Sequence, residues 1–202
     1  MSGSKIFLIV GAVIVVIVAI LGFSMVGTYN SLVTLDQATQ SAWANVQTAY
    51  QRRLDLIPNL VATVKGAANF EQSTLTAVTE ARSRVGQISA EGLQNIANDP
   101  AAFQRFQQAQ AGLSSALSRL MAVAEAYPEL KATQNFRDLQ LELEQTENRI
   151  GVERRRFIEA AQAFNTRVAR FPTNLIAGLF GFQPKPYFAA DEGADKAPEV
   201  KF

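Results

Sequence analysis

Residues 43–68 read WANVQTAYQRRLDLIPNLVATVKGAA, and the spacing of their apolar side chains decides the fold. Trp43, Val46, Tyr50, Leu54, Ile57, Val61, Val64 and Ala68 step by threes and fours, which lays one apolar stripe along one face of an α-helix. The stripe keeps its register through Pro58, so the helix is expected to continue across it with a kink. Proline has no N–H to give the Leu54 carbonyl. Beyond the polar patch at 69–74, Leu75, Val78, Arg82, Val85 and Ile88 prolong the spacing. Two readings follow: one helix to about Ile88, or a chain that turns back near Asn69.

Working toward the N-terminus, residues 6–26 read IFLIVGAVIVVIVAILGFSMV, with no charge and Ser24 as the one clear polar side chain. At about 1.5 Å per residue the run covers roughly 30 Å, the thickness of a bilayer core. A cleaved signal peptide is the rival reading. The run exceeds the usual ~7–15 residue apolar core of such a peptide, and no small-x-small site follows it cleanly. Residues 6–26 are therefore read as a transmembrane anchor behind a short tail, 1–5. Lys5 precedes the anchor and no Lys or Arg follows it before Arg52. The positive-inside rule then places the N-terminus in the cytoplasm and the remainder on the extracytoplasmic side.

Working toward the C-terminus, residues 89–100 form a loop by their Gly, Asn and Pro content, and Asp99-Pro100 starts the next helix as N-cap and first residue. That helix runs on Phe103, Phe106, Leu113, Leu117, Leu120 and Ala124 and stops around Tyr127-Pro128. The last long helix carries Phe136, Leu139, Leu143, Thr146, Ile150, Phe157, Ala161, Phe164 and Val168 and ends before Pro172. No stretch alternates as a strand does. The fold class is all-α: an N-terminal transmembrane helix followed by an antiparallel bundle of three to four long helices over 27–182. Residues 183–202, Pro-broken and charged, read as a flexible tail.

Composition narrows the chemistry. The chain has no His and no Cys, and its formal net charge is +1. Imidazole bases, thiolate nucleophiles, disulfides and zinc–thiolate or iron–sulfur centres are therefore excluded. No EF-hand spacing occurs. The reading is a non-enzyme with no catalytic, cofactor or metal residues. Nucleic acid is not an expected partner, because the Arg residues lack interleaved aromatics.

Four polar or apolar clusters are candidate partner or lipid contacts, each with a plainer reading. Arg52, Arg53 and Asp55 beside Pro58 and Asn59 form a docking site, or else Arg52 and Asp55 pair along the helix while Asn59 satisfies carbonyls freed by the kink. Glu147, Asn148 and Arg149, with Thr146, form a buried polar layer or a protomer contact, or else Arg149 pairs with Glu153 on the surface. Arg154, Arg155 and Arg156 meet an acidic lipid or partner, or else lie on a solvated face with Glu153 and Glu159. Leu175, Ile176, Leu179, Phe180 and Phe182, in the apolar run 171–182, contact a membrane, a partner's groove or the bundle's own core.

Four segments together resemble the LemA family of bacterial membrane proteins. They are the anchor followed by Tyr29-Asn30-Ser31-Leu32-Val33, RRLDLIPNLVATVKG at 52–66, TQNFRDLQLELEQTENRIGVERRRF at 133–157, and FPTNLIAGLFGF at 171–182. Where many relatives read Tyr-Asn after the Arg run, this chain has Phe164-Asn165. The resemblance implies a helical bundle on one anchor in the bacterial inner (cytoplasmic) membrane and brings no catalytic site with it. The functional expectation is an envelope scaffold or assembly protein that forms a homo-oligomer and recruits protein partners. Leu32, Val33, Leu35, Leu139, Leu141 and Leu143, apolar on more than one face, motivate it. The alternative is a lipid-binding or membrane-remodelling module using the 171–182 segment and the Arg cluster.

Overall fold

The computed structural model describes residues 3–66, 71–90 and 96–189. Within them lie six helices and no strand: α1 (Gly3–Lys65), α2 (Gln72–Ala90), α3 (Pro100–Ala124), α4 (Pro128–Ala132), α5 (Gln134–Ala169) and α6 (Thr173–Phe180). The start of the 69–74 patch, the centre of the 89–100 loop and residues 190–202 lie outside the described residues.

α1 is one unbroken helix from Gly3, inside the stretch read as a tail, through the apolar run and Pro58 to Lys65. Its first part is long and apolar enough to cross a membrane, and none of that window is buried by the rest of the chain. The stripe that begins at Leu32 is buried instead. The open choice at Asn69 resolves in favour of the turn: α1 stops at Lys65, and α2 returns beside it. The Leu54 carbonyl, which Pro58 cannot serve, accepts a hydrogen bond from Arg82 Nε of α2 at 3.1 Å. Asn59, assigned that task from the sequence, is exposed and so faces no burial cost.

α3 starts as its sequence predicts. Asp99 Oδ1 accepts from the N–H groups of Ala101 at 2.9 Å and Ala102 at 3.2 Å, and Pro100 occupies the first turn. Thr133 caps α5 by accepting from the Phe136 N–H, and Gly181, at φ 75°, closes α6 in the left-handed conformation that glycine adopts without strain.

The long helices alternate in direction. α5 runs antiparallel to α1, as Trp43 opposite Phe157 and Arg52 opposite Glu142 show, and α2 packs chiefly on α3. The core stacks in three tiers along the bundle axis. Leu32, Phe164, Val168 and Ala177 fill the tier nearest the apolar part of α1. Trp43, Tyr50, Phe103, Phe106, Phe157 and Phe188 form an aromatic middle. Leucine, valine and isoleucine side chains of α1, α2, α3 and α5 fill the far end.

Phe188 in that middle tier sets residues 183–189 apart from the flexible tail expected there, while 190–202 lie outside the described residues. Residues 182–189 lack regular structure yet cross the bundle as a strap. Asn165 holds it with two bonds: its Nδ2 donates to the Lys185 carbonyl at 2.9 Å, and its Oδ1 accepts from the Lys185 N–H at 2.7 Å. Lys185 Nζ reaches Asp36 at 2.6 Å and lies 5.1 Å from the Phe164 ring centre.

Candidate functional site

Between the aromatic and aliphatic tiers lies a polar layer centred on Arg53. This residue is 1% exposed. Tyr50 precedes it by one helical turn, so the i+3 step points Arg53 inward. Its Nη1 donates to Glu147 Oε1 of α5 at 2.8 Å and to Ser114 Oγ of α3 at 2.9 Å, and its Nη2 donates to Gln110 Oε1 of α3. The guanidinium also lies 5.1 Å from the Tyr50 ring centre. One residue thus joins three helices at a fixed axial position.

A buried guanidinium costs several kcal/mol in lost hydration, and an ion pair with good hydrogen bonds offsets this only in part. Glu147 supplies the charge, and its side chain is 42% exposed, so water shares in solvating the pair. Arg53 Nε and Gln110 Nε2 are buried donors without a hydrogen-bond partner among the described residues. Both residues line a cleft of about 570 Å³, walled also by Gln107, Glu147, Arg154 and Phe188 of the strap. Its chemistry is that of amide and guanidinium donors beside one carboxylate, suited to hydrogen-bonding an acceptor group. It contains no arrangement of acids that would hold a cation.

A second buried charge lies one tier closer to the apolar end. Glu153 is 1% exposed and accepts from Arg149 Nε at 2.7 Å and from Arg156 Nη1 at 3.0 Å, both on its own helix. Two exposed cations thus cover one buried anion.

A family model described as the LemA family matches residues 42–202, which takes in this layer, the cleft and the strap. The chain belongs to the LemA family. It is 28% identical to magnetosome protein MamQ 2 of Paramagnetospirillum magneticum, over 83% of this chain and 66% of that protein. It is 26% identical to magnetosome protein MamQ of Magnetospirillum gryphiswaldense, over the same shares. Protein LemA of Metamycoplasma hominis is 25% identical over 87% of this chain and 75% of that protein. The chain thus spans just under two thirds of the length of the two MamQ proteins. LemA membership and the apolar helix together make it a membrane-associated helical protein.

Set on the LemA fold, the candidate residues separate. Arg53 and Glu147 meet in the polar layer. Arg52 pairs instead with Glu142 across the α1–α5 seam at 3.0 Å, and Asp55 accepts from Gln51 at 2.8 Å, so the Arg52–Asp55 pair is replaced by partners of other registers. Asn148 is exposed. Arg149 and Arg156 converge on Glu153, which corrects the expectation that Glu153 belongs to a solvated face. Arg154 lies 4.6 Å from the Phe188 ring centre and donates to the Ala189 carbonyl at 3.4 Å, holding the strap. Arg155 is exposed. The apolar run splits: Ile176 and Phe182 pack on the Leu32–Phe164 tier, while Leu175, Leu179 and Phe180 are 63%, 71% and 49% exposed.

Sequence reasoning missed Gln110, Ser114, Lys185 and Asp36. Gln110 had a signal, since it falls between Phe106 and Leu113 on the apolar stripe of α3. Ser114, Asp36 and Lys185 had none: each is an ordinary polar residue that meets its charged partner only across the fold.

Proposed function

We propose that the chain is a non-enzymatic, membrane-anchored helical scaffold of the bacterial envelope that self-associates and recruits protein partners. The observation that carries this reading is the continuity of α1. One helix serves as membrane segment and bundle spine without a break between them. From Val26 to Lys65 it extends about 60 Å at 1.5 Å per residue, so the bundle stands on the bilayer as a stiff post. A post of this kind presents surfaces at a set height, which is useful to an assembly protein and of no evident use to a diffusing catalyst. Leu141, 54% exposed on α5, offers one apolar point for a second copy or a partner.

The bundle is placed on the extracytoplasmic side of the inner membrane, with the N-terminus in the cytoplasm, on the strength of Lys5 against no Lys or Arg after the anchor before Arg52. The magnetosome names of two relatives fit a protein that works at a membrane within a larger assembly. Sedimentation velocity and crosslinking of the detergent-solubilised full-length chain test self-association. A dimer or larger species that grows with concentration supports it, and a strict monomer throughout overturns it. Protease added to spheroplasts and to inverted vesicles tests the side; cleavage confined to inverted vesicles reverses the orientation.

A further inference from the structure

We propose that α6 is a second membrane contact, with Phe171, Leu175 and Leu179 and the outer edge of Phe180 lying in the headgroup–acyl boundary of the leaflet from which α1 emerges. The proposal goes beyond the scaffold reading and does not depend on it. Its first support is the two-sided chemistry of α6. Phe171, Leu175 and Leu179 are spaced by fours and are 80%, 63% and 71% exposed, while Thr173 and Ala177 between them are buried on the bundle. One face is core and the opposite face is bare.

Position is the second support. Tyr29 stands three residues past Val26, about 4.5 Å along the helix, and its ring centre lies 4.8 Å from that of Phe180 and 5.9 Å from that of Phe182. The C-terminal end of α6 is therefore fixed at the height where the membrane-spanning run ends. Selectivity is the third. Apart from α1 up to Tyr29, the described residues with large, exposed apolar side chains are these four, Leu141 and Tyr187. Apolar exposure on the bundle is concentrated at its membrane end, where lipid can cover it.

An eight-residue amphipathic helix would bind a bilayer weakly as a free peptide. Held beside the anchor it pays no translational cost of arrival, because the contact is intramolecular. Continuity with the anchor commits the occupant: Tyr29 and Phe180 form one surface, and the part of it on α1 borders lipid. The Arg154–Arg156 cluster takes no part. It lies at the level of Trp43, seventeen residues or about 25 Å above Val26, beyond the ~8 Å screening length at physiological salt.

The chain has no Cys, so single-cysteine variants of the full-length protein label at one place. Leu175→Cys, Leu179→Cys and a control, Gln162→Cys on the exposed side of α5, are labelled with an NBD fluorophore in nanodiscs of phosphatidylethanolamine and phosphatidylglycerol. Unchanged emission from Trp43 confirms that each variant is folded. Labels at 175 and 179 are expected to emit at shorter wavelength and to resist aqueous iodide. They should lose on the order of half their intensity to lipids carrying a nitroxide about 5–10 Å deep, where interfacial helices lie. The label at 162 should show the reverse. Iodide quenching at 175 and 179 equal to that at 162 overturns the proposal. So does shielding from iodide without nitroxide quenching, which would mean that a second copy or another protein covers the face.

Discussion

Arg53 and Arg52 are neighbours in sequence and opposites in consequence. Arg53 is 1% exposed and serves three acceptors on two other helices, whereas the Arg52 side chain is 66% exposed with one partner. Arg53→Ala strands Gln110 and Ser114, leaves a cavity between two core tiers and frees Glu147. The expected loss is about 3 kcal/mol. Arg52→Ala should cost no more than about 0.5 kcal/mol, as exposed pairs do. Urea unfolding followed by Trp43 emission compares them, and equal losses would refute the central role given to Arg53. The layer was half legible. Arg53 follows Tyr50 by three, Gln110 follows Phe106 by four, and Glu153 lies three past Ile150 and four before Phe157. Each polar letter falls on an apolar stripe, which marks it as buried. Which of them meet depends on how far one helix slides along another, and the local period carries no such information. Arg53 therefore pairs with Glu147, while Glu153 is left to Arg149 and Arg156.

At the scale of elements, the tie between α1 and α2 runs through a proline. Pro58 leaves the Leu54 carbonyl without its helical donor, and Arg82 Nε fills the gap at 3.1 Å. Arg82→Ala is expected to cost about 1–2 kcal/mol, since a partly buried acceptor loses its bond. Pro58→Ala restores an N–H at the right place and should make Arg82 redundant. In that background Arg82→Ala should cost less than half as much, a coupling of about 1 kcal/mol in a double-mutant cycle. The same cost in both backgrounds would mean that the hydrogen bond contributes nothing. The stripe through Pro58 showed that α1 continues, because a register kept across a proline has no other simple source. It could not show that the freed carbonyl would be met from another helix rather than by Asn59 next door. The strap was less legible still. Its hold rests on Asn165, Lys185 and Phe188, three single residues without a period, in a stretch whose prolines and charges resemble disorder. α6 was legible as apolar, and its division into a packed face and a bare one needed the bundle beside it.

Across the whole molecule, the helices differ in how much buried apolar contact each would give up on opening. Near the apolar end of α1, α1 and α5 are joined by α6 and by the strap. In the middle they share the aromatic tier with α3. At the far end α2 adds Leu75, Val78 and Val85 as its fully buried apolar side chains, and it leans on α3 more than on α1. Local opening free energy tracks the number of buried apolar contacts an element must give up. α2 gives up few, and its Arg82 bond to Leu54 is only partly buried. Amide hydrogens of α2 are therefore expected to exchange faster than those of α1 between Trp43 and Val64, or of α5 between Leu143 and Val168, by roughly 10- to 100-fold, or about 1.4–2.7 kcal/mol of opening free energy. Hydrogen–deuterium exchange on the nanodisc-embedded protein reads this directly. Protection of α2 equal to that of α5 would show that the bundle opens only as a unit. The faster exchange would give the post a rigid base and an adaptable top, the end that stands about 60 Å from the membrane. A helix that can loosen there without releasing α1 or α5 could repack against different partners while its footing stays fixed.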